Sequence, residues 1–363
     1  MSAVWRSVAR CLRDAERSIA LVERCRPIEA EPELRAAVRA LGAGREHVPV
    51  LRYAPPPELG ELRKVLAEVA THADSLGVLG RLYAGRAREL ALEAELAEHV
   101  GKPGFAGLAA RRFGMDGSAA HRRAEQWAKA WVAEAARESV ASAPTSHSDD
   151  ESDPDSLVSS LRRAVGGARL PFRVLLSDDL LSAAATGDSV ILVRTGLQLS
   201  GEEVGRIVCH ELEGHARPRA RSRSEAAGLF QIGSAGSGDD EEGRALALER
   251  KHGHLGLRRR AELGRRHLGA LAVRDGADWL ETLRLLLALG AQGESAVRLT
   301  ARLQRGGGLA REIVYLPALV RVERALRDEP ELDEWLGRGR LSIEAARALA
   351  SEATELDAQP VSA

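Results

Sequence analysis

The sequence predicts an α+β fold that is mostly α-helical. Three observations carry this reading. Apolar residues recur every three or four positions through the first third of the chain. Two short β-branched runs then follow near positions 172 and 189, and a strongly capped amphipathic helix begins at Ser200. At 363 residues the chain is long enough for one large or two ordinary domains and can bury a core without covalent staples.

Residues 1–138 read as a helical N-terminal region. From Arg35 to about Val140 the helical period is plain in Leu62, Val65, Leu66 and Val69 and again in Leu90, Leu92, Leu96 and Val100. Pro55-Pro56-Pro57 and Lys102-Pro103-Gly104 are the breaks. Residues 139–160 turn to Ser, Asp and Pro, as in the run Thr145 to Asp155, and read as a linker or disordered loop. Residues 161–355 form the third region. Phe172–Leu176 and Ser189–Val193 are short, β-branched and bounded by Pro171, Asp178 and Gly187-Asp188, so both read as strands. Ser200-Gly-Glu-Glu203 is a capping box, and Val204, Ile207 and Val208 supply the stripe of the helix it opens. Further helices are expected over Trp279–Leu289 and Ile313–Leu326.

Composition excludes several classes. Hydrophobic residues make up 44 % and charged residues 29 %, as in a globular protein. Lys+Arg 52 against Asp+Glu 53 gives a net charge of −1, without the basic excess of a nucleic-acid binder. The three cysteines, Cys11, Cys25 and Cys209, form no Cys-x-x-Cys pair, so neither a disulfide framework nor a thiolate metal site is expected. Arg6, Arg10 and Arg13 interrupt the N-terminus before a signal-peptide core can form, and no apolar run reaches spanning length. A cytoplasmic protein without a membrane or nucleic-acid partner is expected.

The chemistry concentrates in His210-Glu-Leu-Glu-Gly-His215. Two imidazoles four residues apart on an α-helix lie within about 40° of each other, whereas five residues leave them roughly 140° apart. To share one ion, the helix must widen into a π-type turn or end at the second histidine, and Gly214 permits such a distortion. Zinc takes nitrogen and oxygen donors, and a Glu beside the first His is placed to act as base. His210 and His215 are therefore the candidate ligands and Glu211 the candidate base. The third ligand is sought in Asp239–Glu249, with Glu242 first and Glu241 or Glu249 as substitutes.

Motifs spread along the chain resemble the microtubule-associated tyrosine carboxypeptidase family. They are Gly80-Arg-Leu-Tyr83, Gly101-Lys-Pro-Gly-Phe105, Gly187-Asp-Ser-Val-Ile191, the His210–His215 stretch, Glu241-Glu-Gly-Arg-Ala245, Thr300-Ala-Arg-Leu-Gln-Arg-Gly306 and Val314-Tyr-Leu316. The resemblance implies a zincin-like catalytic region with the short sheet beside the zinc helix. It also implies zinc held by His210, His215 and Glu242, with Glu211 catalytic, and removal of a C-terminal, possibly aromatic, residue from a peptide or protein. The chain departs from the family pattern at Glu241, where Gln is usual, at Arg244, where Leu is usual, and between Ala216 and Asp240.

A carboxypeptidase needs a cation for the substrate's terminal carboxylate. Arg302 and Arg305, in the Thr300–Gly306 motif, are the first candidates, and the basic run Arg217–Arg223 is the second. Tyr315 is a candidate for oxyanion stabilisation, with core packing the competing role. Gly306-Gly-Gly308 lacks the Lys and Ser/Thr of a phosphate loop and reads as a tight turn. Two rival functions stay open on the sequence: a non-catalytic, zinc-stabilised interaction protein, and a zinc hydrolase acting on a non-peptide amide.

Overall fold

The computed structural model describes residues 3–114, 117–137, 144–178 and 180–357. It is mostly helical with a few short strands, the fold class read from the sequence. The main core is helical and draws on both ends of the chain. Leu12, Leu34, Leu66, Leu90 and Phe105 from the first third are buried in the same cluster as Leu246, Leu286, Leu303, Leu316 and Leu336. Helix Ala3–Ile19 is tied into it by charge as well as by apolar contact. Glu16 accepts from Arg86 at 2.9 Å and from Arg340 at 3.1 Å, and Ala9 lies against Gly228.

Five strands are present among the described residues: β1 (Thr145–His147), β2 (Arg173–Ser177), β3 (Ala184–Thr186), β4 (Val190–Arg194) and β5 (Gln198–Ser200). The two predicted strands are β2 and β4, which pair in parallel with Val174 opposite Ile191, and β3 adds antiparallel to β4. A second core, with Leu157, Leu161, Val174, Ile191, Val193, Val204, Ile207 and Leu212, joins this sheet to the helix opened by Ser200.

The stretch expected as a linker or disordered loop has regular structure over its described residues 144–160. β1 pairs antiparallel with β5, and helix Leu157–Gly167 starts within it. Polar contacts as well as the burial of Leu157 and Val158 in the second core organise this segment. Ser148 is buried and donates to the Arg194 carbonyl at 2.6 Å, while the Asp150 carboxylate accepts from the Ser152 amide at 2.9 Å. Positions 139–143 of the same stretch lie outside the described residues.

The capping box is formed. Ser200 Oγ accepts from the Glu203 amide at 3.3 Å and Glu203 returns a bond to the Ser200 amide at 2.9 Å, fixing the start of helix Gly201–Cys209. Two close approaches then position helix Ser237–Lys251. Its Gly243 faces Ala318 of helix Tyr315–Asp328, where an added Cβ would lie 2.5 Å from backbone carbon, and its Ala245 faces Gly214. Glu242 is held between these two contacts. The Gly306–Gly308 run is a turn with left-handed φ values of 73°, 98° and 107°. A Cβ on Gly306 would meet Phe105 and Cys25 within 3 Å, and the Gly306 carbonyl accepts from the Gly101 amide at 2.8 Å. No helix among the described residues is long and apolar enough to cross a membrane.

Candidate metal and catalytic centre

The helix that carries the motif widens. Residues His210–Ala216 form a π-helical turn, and the Arg217 amide donates to the Leu212 carbonyl five residues back. The extra residue in this turn brings together two imidazoles that a plain α-helix would hold apart. The two Nε2 atoms are 3.2 Å apart. Glu242 Oε2 lies 3.4 Å from His210 Nε2 and 3.8 Å from His215 Nε2. This oxygen is buried and has no hydrogen-bond partner.

The opposite edges of both rings are occupied by carboxylates. His210 Nδ1 is 2.7 Å from Glu249 Oε1, and His215 Nδ1 is 3.0 Å from Glu241 Oε1. A carboxylate can only accept, so each Nδ1 carries a ring proton, and Nε2 is the nitrogen each ring turns to a metal ion when its second proton is displaced. Three potential donors to a metal thus converge on one point, which a proton on His210 or a bound cation fills. Two imidazole nitrogens and one carboxylate oxygen can hold a metal ion there, and they suit zinc. Of the three glutamates weighed from sequence, Glu242 stands in the donor cluster. Glu241 and Glu249 stand behind the histidines.

Arginines anchor these supporting carboxylates. Arg259 grips Glu249 with two bonds of 2.9 and 3.0 Å, and Arg219 Nε lies 3.3 Å from Glu241. Burial opposes ionisation of Glu249, yet Arg259 and His210 hold its pKa down at about 2. Burial likewise opposes ionisation of Glu242, but His210, His215 and Arg311 hold it well below the usual carboxylate range. Glu241 is held low against burial by Arg219 and His215. For His210 burial works against charge, and Glu242 and Glu249 outweigh it to raise the pKa to about 9.

Comparison with known families adds an independent observation: a model of the microtubule-associated tyrosine carboxypeptidase family matches residues 41–358. The chain belongs to the microtubule-associated tyrosine carboxypeptidase family. Comparisons with curated proteins and with solved structures return no match. Membership of the microtubule-associated tyrosine carboxypeptidase family implies a carboxypeptidase that acts on proteins.

The remaining candidates fall around this centre. Glu211 is buried and its Oε2 accepts from Thr186 Oγ1 of β3 at 2.7 Å. Arg302, Arg305 and Tyr315 lie together on a neighbouring wall, built by the end of helix Gly293–Gly308 and the 3-10 turn Arg311–Val314. Arg302 Nε donates to Glu312 Oε1 at 2.5 Å, Arg305 Nη2 is 3.4 Å from the same oxygen, and Tyr315 Oη is 3.5 Å from Arg302 Nη2. Burial raises the Tyr315 pKa, aided by Glu242, so the phenol keeps its proton. The basic run after the motif is committed elsewhere: Arg217 to Glu213, Arg219 to the Thr186 carbonyl and Glu241, Arg221 to the Gly337 carbonyl and Arg223 to the Asp188 carbonyl. Cys209 is a buried thiol, pushed up to about 11 by burial.

Sequence reasoning missed Thr186, Arg259, Arg311 and Glu312. None carried a readable signal: Arg311 and Glu312 fall between the Thr300–Gly306 and Val314–Leu316 motifs and belong to neither.

Proposed function

We propose that this protein is a zinc-dependent carboxypeptidase that removes a single C-terminal residue, aromatic by preference, from a peptide or protein. The observation that carries this reading is the convergence of His210 Nε2, His215 Nε2 and an unpartnered, buried Glu242 oxygen next to Glu211. Zinc held by these three residues would supply Lewis acidity to a water molecule and to the scissile carbonyl.

The protein's own groups do the rest. Glu211, aimed by the Thr186 hydroxyl, takes a proton from the attacking water and delivers it to the departing amine. Its charge also acts on His210, which supports its place at the centre. Tyr315 keeps its proton and offers a donor to the carbonyl oxygen as negative charge develops there. Glu249 and Glu241 fix which nitrogen of each histidine faces the reaction. Arg302 and Arg305, paired with the buried Glu312, build the wall beside the ligand cluster.

The test is mass spectrometry of a peptide library with varied C-termini after incubation with zinc-loaded protein. Loss of one C-terminal residue, fastest for aromatic ones, is expected. A library that emerges uncut, or that is cut internally, would refute the assignment.

A further inference from the structure

We propose that Arg311 receives the free α-carboxylate of the substrate, and so makes this centre selective for chain ends. The proposal rests on the carboxypeptidase reading above and names the residue that enforces it.

Three arginines line the wall beside the metal ligands, and they differ in what already holds them. Arg302 and Arg305 both point at Glu312, whose side chain is fully buried. Arg302 at 2.5 Å and Arg305 at 3.4 Å neutralise that carboxylate between them, whereas the carboxylate beside Arg311 is one of the three groups that would hold the metal ion. Arg311 is placed differently. Its side chain is 18 % exposed, against 12 % for Arg302 and 10 % for Arg305, so an incoming group reaches it most readily. Its ion pair among the described residues is a long contact of 3.4 Å between Nη2 and Glu242 Oε1. Among the described residues the rest of its planar fork makes no hydrogen bond, which leaves room for two-pronged recognition of a carboxylate.

Position favours the same residue. Glu242 turns Oε2 towards the histidines and Oε1 towards Arg311, so one carboxylate group separates Arg311 from the reacting centre. One residue of extended chain spans at most about 3.6 Å. A terminal carboxylate on Arg311 would therefore bring the last peptide bond, rather than a more distant one, nearest the ligand cluster.

The rival role for Arg311 is to position Glu242. To separate the two, binding is measured by fluorescence anisotropy on the zinc-loaded Glu211→Gln protein, which cannot turn substrate over. One labelled peptide with an aromatic C-terminus is used as the free acid and as the amide. The free acid is expected to bind at least about tenfold more tightly, the scale of a charge-assisted pair. Adding Arg311→Gln should collapse that ratio to near one while zinc content stays at one equivalent, and Arg311→Lys should restore part of it. A ratio that survives Arg311→Gln overturns the proposal, as does loss of zinc in that variant, which would make Arg311 a positioning residue. A parent protein that shortens no free-acid peptide defeats the carboxypeptidase reading itself. A parent that shortens acid and amide equally defeats only the role of Arg311.

Discussion

Gly214 and Ala245 meet so closely that a Cβ added to Gly214 would fall 2.5 Å from the Ala245 methyl. Gly214 was expected to matter for its backbone freedom, but its φ is not in the left-handed region and the turn is helical throughout. Its smallness is what counts. It lets helix Ser237–Lys251 lie against the π-turn, and so puts Glu242 within reach of both histidines. Gly214→Ala should push the two apart at a cost of about 1–3 kcal/mol. Both the melting temperature and zinc retention should drop, and a variant normal in both would show that the contact is not limiting.

The donor set makes a second prediction. His210→Ala, His215→Ala and Glu242→Gln should each fail to hold stoichiometric zinc after dialysis, as read by elemental analysis, because a three-donor site rarely survives loss of one. Full occupancy in Glu242→Gln would point to Glu241 or Glu249 instead.

Glu211→Gln separates base from ligand. It keeps the volume and the Thr186 contact but removes the proton acceptor. Zinc content and melting temperature should match the parent, with turnover lower by at least ~100-fold. Zinc loss here would make Glu211 a ligand, and undiminished turnover would move the base elsewhere.

Glu249 acts behind the metal ligand. Glu249→Gln leaves His210 a neutral partner and releases the Arg259 grip. Zinc affinity, measured by competition with a chelator, should weaken by roughly 10- to 100-fold. Unchanged affinity would reduce the pair to a packing feature.

Away from the centre, His267 sets an acid limit. It is fully buried, and burial together with the His121 charge lowers its pKa to about 4. The folded protein keeps it neutral while the unfolded chain protonates near its ordinary 6.5, so its contribution is complete above about pH 6.5 and is lost as pH falls towards 4. The full effect is about 3 kcal/mol. Urea midpoints of the parent should decline more steeply over that interval than those of His267→Gln; parallel declines would exonerate His267.

What the sequence revealed was local. The five-residue spacing of His210 and His215 demanded a widened turn or a helix end, and the turn is widened. Ser200 and Glu203 announced a cap, and the two β-branched runs announced β2 and β4. What it hid was contact between distant elements. β3 is Ala-Ala-Thr, with little strand propensity, so Thr186 gave no sign that it would reach Glu211. Arg259 is one arginine in a crowded basic stretch, and only the fold turns it to Glu249. Composition misread Thr145–His147, because a three-residue strand held by pairing to Gln198–Ser200 needs no apolar run of its own.

The family match begins at residue 41, but the folding unit does not. Leu12, Ile19, Cys25 and Leu34 are all in the main core, and Glu16 is the anion for both Arg86 and Arg340. Trimming the chain to its recognisable part would expose a greasy trough and take Glu16 from both arginines, leaving Arg86 only its pairs with Glu89 and Glu93. Expression of a fragment cut at that boundary should yield aggregate, and sequence similarity is the wrong ruler for choosing where to cut.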